Sequence, residues 1–253
     1  MNSYFIANVK RTLNKSYRYV FIILGSTFLF GVCAEASQLT GGLTDSAMSI
    51  INGMMYMGVL LFGVFFGIME ICYVFTDDFK ARMQQAAIGV GTTRARVIFT
   101  KYMEFVVYLT IDIIVMNVMF VVSALSIYGN INEVMIKRLI GFDIAVLIMT
   151  LSCASFTVLF LYIKDNVLIG VMIFLVVNYA TQASEKFNEF LNGLPGMGKH
   201  HIGEYLIFYQ NRKFASKMVT GTFDIRSFLV IAFEMALIIA LTCHLFKKKE
   251  LDF

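Results

Sequence analysis

Six long apolar stretches run through the chain: Tyr19–Gln38, Ser49–Thr76, Met103–Tyr128, Leu139–Ile163, Asn166–Ser184 and Ser227–Phe246. No other feature narrows the possible folds as far. A bilayer core about 30 Å thick needs roughly 20 apolar residues in a helix rising about 1.5 Å per residue. The hydrophobic fraction is 58% and the charged fraction 15%, with mean hydropathy +0.75. A soluble domain of that composition could not clothe its surface in polar groups. The runs are too long for barrel strands of about 10 residues and do not alternate, so helices are the spanning element. The expected fold is an all-α integral membrane protein with six transmembrane helices in a single domain, residues 1–253.

A single proline, Pro195, leaves the helix interiors free of the strongest breaker. With no tryptophan, Tyr17, Tyr19, Tyr73, Tyr102, Tyr128 and Tyr162 supply the interfacial belt at the span ends. Cys33, Cys72, Cys153 and Cys243 all fall in apolar runs with no Cys-x-x-Cys or Cys/His spacing. They read as buried thiols, not as disulfides or zinc ligands. The first run has a basic flank and a small-x-small tripeptide, Ala34-Glu35-Ala36, as a cleaved leader would. It is longer than a usual leader core and reads as an uncleaved anchor. Before it, Phe5, Val9, Leu13 and Tyr17 recur every fourth residue. Residues 1–18 therefore read as an amphipathic helix lying in the headgroup layer, or else as a basic tail.

With the N-terminus inside, the cytoplasmic pieces hold thirteen Lys and Arg and the outer pieces eight. The positive-inside rule then places both termini in the cytoplasm. The outer segment 185–226 mixes aromatic and charged residues. Gly193–Gly198 breaks it into two short helices packed on the outer mouth of the bundle.

Chemical motifs are weak. Gly193 to Lys199 fits a phosphate-loop spacing, but His200 replaces the Ser or Thr that would hold magnesium, and no apolar strand precedes it. The chain therefore has no ATPase site of its own and is not expected to be an enzyme. His200, His201 and Glu204 are too few for a metal site. Carboxylates within or near the spans are Glu70, Glu104, Asp112, Asp143 and Glu234. Each costs roughly 2.5–3.5 kcal/mol at a helix centre, so none should face lipid. Asp112 and Glu234 sit deepest. They read as paired with amides such as Asn117 or Asn178, or as a proton relay. Gly63 and Gly67, with Gly58 nearby, allow close helix approach within the bundle or between protomers.

The polar interruption Asp77–Lys101 carries the most information. Phe79, Met83, Ala87 and Ile88 share one face of a short amphipathic helix, Phe79–Ile88. Gly89-Val90-Gly91 ends it, and Thr92-Thr93 can cap the next helix. A short helix held below the membrane suits docking into a groove on a soluble partner.

In this order of elements the chain resembles the permease subunits of type-2 ABC exporters with the ABCG-like fold. Along its whole length they share an interfacial elbow helix, two spans, a cytoplasmic coupling helix, three spans, an outer re-entrant helical segment and a last span. Asp78, Gly89, Arg94 and Lys101 match the family's coupling pattern, although the family usually has Glu where this chain has Asp78. The basic tail Phe246 to Asp252 is also similar.

The resemblance implies a subunit that pairs with a second permease, a copy of itself, above two separate ATPase subunits. ATP and magnesium would sit on those partners, with no cofactor, metal or nucleic acid bound here. It implies a bacterial plasma-membrane protein. Coupling would run through Asp78, Phe79, Arg82, Met83, Ile88, Gly89, Arg94 and Lys101, with Lys164 in a minor second contact. The cargo path would lie between protomers along the second and fifth spans, lined by Met54, Met57, Phe62, Phe66, Asn178, Thr181 and Gln182. Phenylalanine and methionine there favour an amphipathic cargo, such as an antimicrobial or cytolytic peptide or a lipid-like molecule. Two alternatives are a proton-coupled carrier using Asp112 or Glu234, and a non-transporting assembly or sensor component.

Overall fold

The computed structural model describes residues 23, 27, 45–80, 88–89, 91–128, 133–193, 204 and 206–248. Within them the chain forms α1 (Asp45–Lys80), α2 (Arg94–Tyr128), α3 (Glu133–Lys164), α4 (Val167–Gly193), α5 (Ile207–Val219) and α6 (Ile225–Lys248), and no strand. All but α5 are long and apolar enough to cross a bilayer. The chain is a multi-pass helical membrane protein. The expected elbow helix over residues 1–18 lies outside the described residues. So does the first apolar stretch, apart from the helical Ile23 and Thr27.

Several boundaries differ from the expected ones; α3, for instance, begins at Glu133 and not at Leu139. α1 continues through Asp78 and Phe79 to Lys80, because Thr76-Asp77-Asp78-Phe79 contains no breaker. Phe79 therefore extends the span helix and does not open a new one. α2 begins at Arg94, nine residues before Met103. Arg-Ala-Arg favours helix there, and the Thr93 carbonyl accepts from the N–H groups of Arg96 and Val97 at 3.0 and 3.1 Å. α4 runs past Ser184 to Gly193, so residues 185–193 extend the fifth span and are not a separate short helix. The first strong breaker there is Gly193 itself.

α1 and α3 form the centre and run in the same direction. Arg138 donates to the Asn52 side-chain oxygen at 2.8 Å. Phe62 meets Phe142 edge-on at 5.9 Å, and Phe75 meets Tyr162 at 6.3 Å. α4 returns antiparallel after a tight turn in which Asp165 has φ 48°. The Asn166 side chain caps α4 through the Leu168 N–H at 2.9 Å.

The two glycines of α1 serve packing inside this bundle. A Cβ on Gly67 would stand 2.0 Å from the Phe174 ring, and one on Gly63 would stand 3.0 Å from the Met149 methyl. α5 lies antiparallel along α3. A Cβ on Gly141 would stand 2.2 Å from the Met218 carbonyl. Further along, Asn211 donates to Ser152 at 2.7 Å, and Phe208 stacks on Phe156 at 5.7 Å. α6 touches the bundle along one stripe: Ser227, Ile231, Ile238, Thr242 and Phe246.

Candidate functional site

At one end of the bundle four helix ends are tied together. Phe75 lies toward the end of α1, Tyr162 in the last turn of α3 and Phe246 in the last turn of α6. Their rings form a chain, with Tyr162 and Phe246 4.8 Å apart. Arg94, first residue of α2, lies over the Phe246 ring at 5.7 Å. It donates to the Phe246 and Lys247 carbonyls at 2.9 and 3.0 Å. Those are orphan acceptors at a helix C-terminus, where a cation is favoured. Of these three rings only Tyr162 was read from the sequence as part of an interfacial belt; its contacts with Phe75 and Phe246 were not foreseen.

This junction frames the segment between α1 and α2. Asp78 and Phe79 belong to the last turn of α1, while Arg82 and Met83 lie outside the described residues. Ile88 and Gly89 are helical, and Ile88 packs half-buried against the core. Gly91, at φ 92°, donates to the Ile88 carbonyl at 2.9 Å, a conformation that suits glycine. Lys101, expected in the loop, is 1% exposed inside α2 and pairs with Glu104 at 2.8 Å. Arg94 and Lys101 are thus engaged within the protein. Lys164 is exposed, at the end of α3.

The residues expected to line a path divide into two sets. Phe62, Phe66, Asn178 and Thr181 are buried. Phe62 packs on Phe66 and Phe142. Thr181 donates to the Val177 carbonyl, and Asn178 accepts from Gln182 at 3.0 Å. Met54 is half-buried against the core. Only Met57 and Gln182 are exposed. α1 also exposes Leu61 and Phe65, and α4 exposes Met172, Val176 and Tyr179. No spacing in the sequence sets Met57, Leu61 and Phe65 apart, because their neighbours are apolar too.

The carboxylates also sort differently. Asn117 donates to Asp143 at 2.7 Å, so it serves Asp143 and not Asp112. Asn178 serves Gln182. Asp112 is fully buried, and Glu234 is half-buried on α6. Among the described residues no group of three His, Cys, Asp or Glu could hold a metal. Outside the spans, Asp224 caps α6 and pairs with Lys217 at 2.9 Å. The hydrogen bond from Lys217 holds its carboxyl down at about 2.

A scan against protein-family models finds no match, and a search of curated proteins finds none.

Proposed function

We propose that the chain is the permease subunit of an ATP-driven ABC exporter with the ABCG-like architecture. It would move an amphipathic molecule out of the cell with force from two copies of a separate ATPase subunit, in a homodimer whose termini are cytoplasmic. The observation that carries this reading is the placement of α5. A thirteen-residue amphipathic helix between the last two spans folds back along α3, from Gly141 to Phe156. That is the behaviour expected of the outer re-entrant element.

The junction of Phe75, Tyr162, Phe246 and Arg94 adds support, because it gives the α1–α2 segment a rigid base. On this reading Arg94 and Lys101 position the segment. Contact with the ATPase falls to Asp78, Phe79, Arg82, Met83, Ile88, Gly89 and Lys164. A push there would rock one bundle against the other. The path would follow the open α1–α4 face, with Met57, Leu61, Phe65, Tyr179 and Gln182 toward the cargo. A peptide toxin or antimicrobial peptide fits this apolar, methionine-bearing surface.

Isolation of the intact membrane complex tests the reading. An ATPase should copurify, be lost on Arg82→Glu, and be stimulated by amphipathic peptides in liposomes. A complex with no ATPase, or labelling of residues 79–88 from outside the cell, would defeat it. One observation favours a second reading. A carboxylate oxygen of Glu234 is buried in the spanning region with no hydrogen-bond partner. If a proton gradient drives transport, neutralising Asp112 or Glu234 abolishes it; in the exporter both variants keep ATP-driven transport.

A further inference from the structure

Many hydroxyls within the spans settle on their own helix. Thr110, Ser155, Thr157, Thr181 and Thr242 each donate to the carbonyl four residues back. Asn117 of α2 and Asp143 of α3 turn to each other instead. Asn117 donates through Nδ2 to Asp143 Oδ2 at 2.7 Å. The second oxygen of each side chain, Oδ1, is buried and, among the described residues, has no hydrogen-bond partner. An amide and a carboxyl are thus joined by one bond, with an acceptor left over on each.

The pair lies within the apolar spans, toward the α2–α3 connection. Asn117 is five residues from the Val122 end of its window and Asp143 seven from the Ile136 end of its own, about 8 and 10 Å along the helices. An ionised carboxyl offers acceptors only. It would leave both Oδ1 atoms unmet and a bare charge at that depth, where each is costly. No cation offsets that charge: among the described residues no ion pair or charge interaction reaches Asp143. Arg138, five residues back on α3, donates to Asn52. Lys213 and Lys217 turn to Asp224, on an α5 that packs on the Gly141 side of α3, about 200° round the helix from Asp143. On α2 the nearest charged residue is Asp112, about 140° round from Asn117. α1 has none between Asp45 and Glu70.

One proton, taken from water, resolves all of this. On Asp143 Oδ1 it cancels the charge and turns that oxygen into a donor. It also gives Asn117 Oδ1 a hydrogen to accept. Amide and acid then share two bonds in one planar ring, N–H to Oδ2 and O–H to Oδ1. We infer that Asp143 is a proton-binding site, and that the neutral acid clasps Asn117 and so ties α2 to α3. The clasp goes beyond the exporter reading. It does not use Asp112 or Glu234, the carboxyls of the proton-driven alternative, and needs neither an ATPase nor transport to be detected.

The test uses the full chain in an uncharged detergent at neutral pH. Infrared spectroscopy reads the carbonyl stretch of a protonated carboxyl, which an ionised one lacks and which moves in heavy water. The wild-type protein should show one such band that Asp143→Asn loses. In Asn117→Leu the band should move to higher frequency, because the acid loses its partner. Thermal midpoints give a second measure. Asp143→Asn should leave the midpoint nearly unchanged, since a second amide offers the same donor and acceptor. Asn117→Leu should lower it by about 2–4 °C. An ionised Asp143 predicts the reverse for Asp143→Asn, a higher midpoint as a buried charge is removed. No band lost in Asp143→Asn, a band unmoved in Asn117→Leu, or a raised midpoint in Asp143→Asn overturns the inference. If Asp143→Asn does not fold, the shift of the band in Asn117→Leu decides it, with carbon-13 in the aspartate carboxyls marking the band as an aspartate's.

Discussion

α1 and α6 are apolar helices of similar composition, yet they stand in opposite relations to the rest of the protein. In α1, 72% of the spanning window is buried; in α6, 17% is. Lipid tails are as apolar as leucine, so hydropathy gives no reason for one helix to be central and another peripheral. The difference lies in shape. α1 carries Gly63 and Gly67, notches that receive Met149 and Phe174. α6 has no glycine and shows Ile225, Leu229, Phe233, Leu237, Leu241 and Leu245 on one outward stripe. α1 is held along its length. α6 is held along one narrow stripe, with polar ties at its ends, from Asp224 and Lys217 at the start and from Arg94 at the finish.

The contrast breaks most visibly at Gly67. Gly67→Ala puts a methyl where the Phe174 ring lies, in a fully buried position. Overpacking of this kind costs about 1–3 kcal/mol. A lower thermal midpoint in detergent, recovered in part by adding Phe174→Leu, is the expected result. No loss in the single variant would mean that α1 and α4 are not locked as described.

The sequence made five of the six expected spans and their helical class legible because apolar length is a local property. The close-approach glycines were legible too, although their partners were not. Which face of each helix is buried was not readable, since nearly every position in a span is apolar. Phe62 and Met57 look equivalent in the chain, but one packs on Phe142 and the other is 60% exposed. Arg94 and Lys101 were misplaced for a related reason. A charge beside a loop is read as a surface contact, whereas here one finds helix-end carbonyls and the other a buried glutamate. Tertiary partners at long separation leave no mark in local spacing.

Arg94→Gln is the next test in size. It removes a charge from the C-terminus of α6 and from the face of Phe246, effects of about 0.3–1 and 0.5–1 kcal/mol at accessible sites. The loss should appear as faster hydrogen exchange in the last turn of α6, with α1 unchanged. Equal loosening of both helices would contradict a tie that is local to the end of α6.

The other end of α6 answers to pH. The Asp224 carboxyl is held at about 2, below its ordinary value of 3.8, first by the hydrogen bond from Lys217. A carboxyl depressed on folding stabilises the protein above its unfolded value. That contribution drains away between about pH 4 and pH 2. Asp224→Asn should flatten this part of the stability curve. It should cost at most about 1 kcal/mol at neutral pH, because an asparagine caps almost as well and an exposed lysine partner is screened.

The smallest effect is expected on the outward stripe of α6, and its size reports what covers that stripe. Leu229 and Leu237 are 59% and 55% exposed. Truncating either to alanine removes contact with lipid or detergent only. The change should stay within about 0.5 kcal/mol, as for surface positions generally. A second chain packed on α6 would change the answer, because the same truncation would then open a cavity costing about 2 kcal/mol or more. Thermal midpoints at several protein concentrations separate the two cases. A silent Leu237→Ala leaves the α1–α4 face as the surface for a second copy; a costly, concentration-dependent one moves the dimer contact to α6.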